Sequence, residues 1–142
     1  MVVVNIGVDV GQRVDPTAVV AVEVQDRPEY EDASVTVLEA IALLAGQRER
    51  QVKRYVQHFV VRYLQRLPIG TSYPSVVTKL VELTTLVEKQ QKDAIVTLFL
   101  DATGVGTPVL DMLAESDIVA PVVPVFFVHG ERRTVAPDGS VK

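Results

Sequence analysis

Residues 2 to 25 read VVVNIGVDVGQRVDPTAVVAVEVQ, and the fold turns on how they divide. Val2 to Val10 is apolar and β-branched with Asp9 as its one charge, the pattern of a strand buried on both faces. Thr17 to Gln25 is a second β-branched run, set off by the turn-forming Gly11-Gln12-Arg13-Val14-Asp15-Pro16. Two strands joined by so short a link predict an antiparallel hairpin.

Working outward, Asp26 to Ser34 (DRPEYEDAS) reads as an acidic turn, and Ser34 to Leu44 fits either a strand or a short helix. Tyr55 to Leu64 reads as a strand with Val56, Val60 and Leu64 on the face that also carries His58 and Arg62. Beyond Leu67-Pro68-Ile69-Gly70 the apolar period changes: Val76, Leu80, Leu83 and Val87 recur at helical spacing, with Thr71 or Ser72 as cap and Pro74 in the first turn. Ala94 to Leu100 is a short apolar strand, Thr107-Pro108 opens a helix that turns Val109, Leu110 and Leu113 inward, and Val119 to Val128 supplies a last strand. The predicted fold is α/β: an antiparallel first three strands, then parallel β-α-β crossovers, in one mixed sheet with helices on its faces. Ribonuclease H-like topology has this order, and so do other α/β folds.

Composition narrows the class. With 142 residues, 48% of them hydrophobic, the chain can form one core, and it carries no Cys for disulfides, thiol chemistry or a Cys-ligated zinc. The longest nearly continuous apolar run, Ile118 to Val128, holds two prolines and falls short of the roughly 20 residues that span a bilayer. Met1 leads directly into Val2-Val3-Val4 with no basic segment, so neither a signal peptide nor a membrane partner is expected.

The net charge of -4 hides an uneven division. Residues 1 to 45 hold 8 acids and 2 bases, residues 46 to 92 hold 3 acids and 9 bases, and residues 93 to 142 hold 7 acids and 3 bases. In the basic middle, Arg48, Arg50, Lys53, Arg54, Arg62 and Arg66 meet one acid, Glu49. Such a strip either tracks a phosphate backbone or keeps an exposed strand soluble.

Two carboxylates stand out. Asp9 lies among Val and Ile, where an unpaired charge is costly, and Asp101 directly follows the apolar run AIVTLFL. If their strands are neighbours, the two side chains meet at one end of the sheet. There they either hold a hard cation such as Mg²⁺ or Mn²⁺ or cap adjacent loops. Asp15, before Pro16, either bonds its own turn or stands behind a metal site as a weaker candidate. Gly104 and Gly106 either cradle a phosphate or relieve crowding at a helix start. His58 and His129 belong to no ligand or catalytic-triad pattern.

Together, GVDVGQRVDPTAVVAVE (7 to 23), RYLQRLPIGTSYPSVV (62 to 77) and LDATGVGTPVLDML (100 to 113) resemble the C-terminal nuclease domain of phage terminase large subunits, in order and approximate spacing. The resemblance covers residues 1 to about 133. It implies a ribonuclease H-like domain that cuts viral DNA during packaging with divalent metal, two ions in a complete domain. Asp9 and Asp101 would then be metal-binding, catalytic residues. It further implies double-stranded DNA, an ATPase motor, a small subunit and a portal as partners, and the cytoplasm of a bacterial host as location.

Two features depart from that family. No Walker A motif is present, and the family's third metal-binding acid, in a late His-Asp-Asp helix, has no counterpart before Lys142; Glu131 and Asp138 are the acids of the tail. The expectation is therefore a partial nuclease domain over 1–133 with a tail over 134–142, an incomplete site, weak or absent cleavage, and an uncovered face on the last strand with Val122, Val125 and Phe127. Two other readings remain: a nucleotide-binding half-domain of the actin-like and sugar-kinase superfamily, suggested by GVDVGQ and LDATGVG, and a non-catalytic, resolvase-like DNA-binding relative.

Overall fold

The computed structural model describes residues 2–11, 14–30, 37–46 and 52–127. Arg48, Arg50, His129, Glu131, Asp138 and the tail over 134–142 lie outside them. Five strands and three helices follow in the order β1 (Val2–Asp9), β2 (Ala18–Tyr30), α1 (Val37–Leu44), β3 (Val52–Arg66), α2 (Tyr73–Gln90), β4 (Ala94–Asp101), α3 (Gly106–Ala114) and β5 (Val122–Val125). The undecided segment 34 to 44 contains the helix α1.

The strands form one mixed sheet in the order β3-β2-β1-β4-β5. β1 and β2 form the expected antiparallel pair, β2 and β3 are antiparallel, and β4 runs parallel to both β1 and β5. Alternation divides each central strand between two faces. Val4, Ile6 and Val8 of β1, Val19 and Ala21 of β2, and Val96, Leu98 and Leu100 of β4 are buried together with Val76, Val77, Leu80 and Leu83 of α2 and Val109 and Leu113 of α3. Both helices lie on this face and touch each other. Ser72 caps α2 by accepting from the Ser75 N–H at 3.3 Å, with Pro74 in the first turn. Buried Thr84 returns its hydroxyl to the Leu80 carbonyl at 3.0 Å, which satisfies a polar group inside the apolar stripe.

Three expectations are corrected. The acidic segment 26 to 34 is not a turn from its start: β2 continues through Pro28 to Tyr30, paired with β3 as far as Val52. This ribbon extends past the part of β2 that pairs with β1, which ends at Val24. Arg54 bonds Glu29 across the ribbon; nearer its base Arg62 Nε donates across to the Glu23 carboxylate at 2.7 Å, and Gln25 Nε2 donates to the same carboxylate along β2 at 2.8 Å.

Leu64 does not share a face with Val56 and Val60. Ala21 pairs with Tyr63 but Val22 pairs with Val61, so Arg62 bulges out and the strand changes parity. Tyr63 turns to the core and Leu64 to the other face, 72% exposed. β5 is also shorter than 119 to 128. Val119 is exposed, Pro121 precedes the strand, and Pro124 has no N–H for the ladder.

The Glu23 carboxyl is held below its ordinary range, first by Gln25 and then by Arg62, and that of Glu29 by Arg54. Their native pKa values lie below the unfolded value of about 4.3, so these ties contribute fully above it and are lost as pH falls through the lower native values. Acidification from neutral to about pH 3 is expected to lower the melting temperature more in the wild type than in the Glu23→Gln/Glu29→Gln variant. Equal losses in thermal melts of the two proteins would refute the role of these pairs.

Among the described residues, no helix is long and apolar enough to cross a membrane.

Candidate functional site

Because β1 and β4 are parallel neighbours with Val8 opposite Leu100, the next residue on each strand is Asp9 and Asp101. The two carboxylates thus end adjacent strands, which are spaced about 4.8 Å apart. They lie on the face opposite α2 and α3, where both line an open cleft of about 410 Å³. Its walls are Gly7, Ala18 and Val20 from β1 and β2, Leu64 from β3, Phe99 from β4, and Val125 and Phe127 beyond. The juxtaposition expected from sequence is present. The burial cost expected for Asp9 is not, because its side chain sits at the strand terminus on the open face and is exposed.

Asp101 is held by its own turn. Its Oδ1 accepts from the Thr103 N–H at 2.8 Å, the Thr103 hydroxyl accepts from the Phe127 N–H at 2.9 Å, and the Ala102 N–H donates to the Val125 carbonyl at 2.8 Å. The loop-capping alternative therefore holds for one oxygen of Asp101. The Asp9 side chain makes no hydrogen bond to a described residue.

Gly106 fixes how the chain leaves this site: a Cβ there would lie 1.9 Å from the Asp101 carbonyl oxygen. Gly104 adopts a positive φ of 66°. Both observations favour the steric role of these glycines. On the other side, a Cβ on Gly11 would lie 2.1 Å from the Asp15 carbonyl oxygen, and the Gly11 N–H donates to the Thr17 hydroxyl at 3.0 Å. Among the described residues Thr17, not the Asp15 side chain, closes this turn. Asp15 is exposed and is not part of the cleft.

The basic strip divides in two. Arg54 and Arg62 are ion-paired to Glu29 and Glu23 across β2 and β3. Lys53 and Arg66 have no ion pair with a described residue. Arg66 stands opposite Ala18, which stands opposite Asp9, so it shares a row of the sheet with the carboxylates. Sequence reasoning missed this alignment, since it depends on the β2–β3 register.

As donors for a cation, Asp9 and Asp101 are hard oxygen ligands on neighbouring strands. That set fits one Mg²⁺ or Mn²⁺ completed by water or substrate oxygens. Among the described residues no group of three or more His, Cys, Asp or Glu comes together to hold a metal. No protein-family model, curated protein or solved structure matches the chain.

Proposed function

We propose that this chain is a ribonuclease H-like, divalent-metal-dependent DNA endonuclease domain of the terminase large-subunit type. The observation that carries the reading is the meeting of Asp9 and Asp101 at the ends of parallel strands β1 and β4, on the rim of an open cleft. The strand order β3-β2-β1-β4-β5, antiparallel on one side of β1 and parallel on the other, supports the fold assignment. The three sequence blocks described above support the family.

In this reading Asp9 and Asp101 hold Mg²⁺ or Mn²⁺, which when bound would lower the pKa of a water and offset charge on a phosphodiester. The Thr103 N–H fixes Asp101 and leaves its second oxygen for the cation. Arg66, two strands from Asp9 in the same row, attracts the phosphate backbone. Leu64, Phe99 and Phe127 give the cleft its apolar walls.

Calorimetric titration with Mn²⁺ tests the proposal. The intact chain is expected to bind, with Asp9→Asn and Asp101→Asn each weakening binding by at least about tenfold while thermal unfolding is retained. Absence of binding, or equal binding by both variants, would overturn the metal assignment. ATP binding without metal-dependent DNA binding would instead favour a nucleotide-binding half-domain.

A further inference from the structure

A second cavity lies on the helix side of the sheet, under the C-terminal half of α2. α2 makes its main contacts with α3 and β4. Toward β2 and β3 a gap of about 370 Å³ remains between helix and sheet. Protein interiors seldom leave voids larger than a water molecule, and pockets for small ligands begin at about 300 Å³. Buried Val4, Ala21 and Leu83 form the apolar part of its wall with Val87. Glu23, which also lines it, pairs with Val4, whereas Asp9 stands five residues further along β1, about 17 Å away.

The β-bulge supplies the polar wall. In a regular strand Arg62 and Tyr63 would point to opposite faces, but the extra residue turns both into this cavity, beside Glu23 of β2. Glu23 is 7% exposed and accepts one hydrogen bond on each oxygen, from Gln25 Nε2 and from Arg62 Nε. Each oxygen keeps a further lone pair, and the two Arg62 Nη groups make no hydrogen bond to a described residue. The side-chain amides of Gln90 and Gln91, also in the wall, are equally unbonded among the described residues. The Tyr63 hydroxyl donates to Gln65, which fixes the aromatic ring as a flat wall.

These groups select the chemistry of an occupant. The charges of Glu23 and Arg62 cancel, and the cavity lies at the C-terminal, negative end of the α2 dipole, so a free anion gains little there. A cation would have to compete with Arg62 for Glu23. An acceptor and a donor side by side, Glu23 and Arg62, instead match the adjacent N–H and C=O of a cyclic amide. We propose that this cavity binds a flat, uncharged ring compound with a cis-amide edge. Its N–H donates to Glu23, its carbonyl accepts from an Arg62 Nη, and its apolar ring packs on Tyr63, Val4 and Ala21. The inference does not rest on the metal reading, because this cavity shares no lining residue with the Asp9 cleft.

Oxindole, a flat bicyclic lactam, is the probe. Titrated into the ¹⁵N-labelled intact chain, it is expected to shift the side-chain amide signals of Gln90 and Gln91 saturably, with a Kd below about 1 mM. N-methyloxindole, which lacks the donor, and indane-2-carboxylate, which replaces the amide by an anion, should each bind at least about tenfold more weakly. That comparison uses the wild type and needs no variant to fold. Arg62→Ala, at a half-exposed side chain, should weaken oxindole by a similar factor and retain cooperative thermal unfolding. Arg54→Ala, which removes the same charge outside the cavity, should bind as the wild type does. Absence of a saturable shift, shifts confined to the Asp9 cleft, equal binding of N-methyloxindole, or equal losses in the two arginine variants would overturn the proposal.

Discussion

Gly106→Ala is expected to destabilise the protein by about 3 kcal/mol or more, among the largest losses available to a single methyl group here. The added Cβ would fall 1.9 Å from the Asp101 carbonyl oxygen and 2.8 Å from its carbonyl carbon. Both atoms belong to backbone, and Asp101 lies in register with Val125 of β5, so neither can step aside without disturbing the sheet. The start of α3 must move instead, and with it the packing of Val109 and Leu113, which are fully buried. Gly104→Ala is the informative contrast. Its Cβ would meet open space, and the cost is only that of a left-handed backbone, about 1–2 kcal/mol. Urea unfolding separates the two, and a Gly106→Ala protein within about 1 kcal/mol of wild type would refute the close approach. The same substitution should weaken Mn²⁺ binding although every carboxylate is retained, since it shifts the turn that holds Asp101.

Leu98→Ala is expected to cost about 3–5 kcal/mol and to lower the melting temperature by roughly 10 °C. Leu98 has no exposed surface, sits on the central parallel strand β4 beside β1, and belongs to the cluster formed with α2 and α3. Removing its side chain leaves a cavity walled by the sheet below and two helices above, which cannot collapse without bending a strand. Leu64→Ala, the same chemical change, should cost well under about 1 kcal/mol because Leu64 is 72% exposed. Differential scanning calorimetry of both variants checks the difference. Similar shifts would mean that the face bearing Leu64 is covered in the monomer.

The contrast between these leucines also shows where reading the sequence stops. By composition alone Leu64 belongs with Val56 and Val60 on an alternating strand. Its face is set by the bulge at Arg62, which exists because Ala21 pairs with Tyr63 while Val22 pairs with Val61. Nothing local announces that shift. The ribbon beyond Val24 is similar: Asp26, Pro28 and Glu29 are turn-forming residues by local preference, yet they stay extended because Arg54 and Val52 to His58 lie opposite. On the last strand Val125 and Phe127 do lie on the open face as expected, but Val122 packs against the core and Val123 takes the exposed place.

What the sequence determined by itself was the set of elements and the ends of the strands that matter. Runs such as VVVNIGVD and AIVTLFLD are apolar at nearly every position, so hydrophobic burial leaves them little choice but strands inside a sheet. Each ends on an Asp, so the candidate site residues could be named before any neighbour was known. Long-range pairing set the rest: β1 and β4 lie side by side and parallel, Asp9 is exposed rather than buried, and Arg66 shares its row while Arg54 and Arg62 are neutralised by partners on β2. Burial preference is local and reads along the chain. Strand order, register and ion pairing depend on which distant segments meet, and those contacts carry no signal in any one segment.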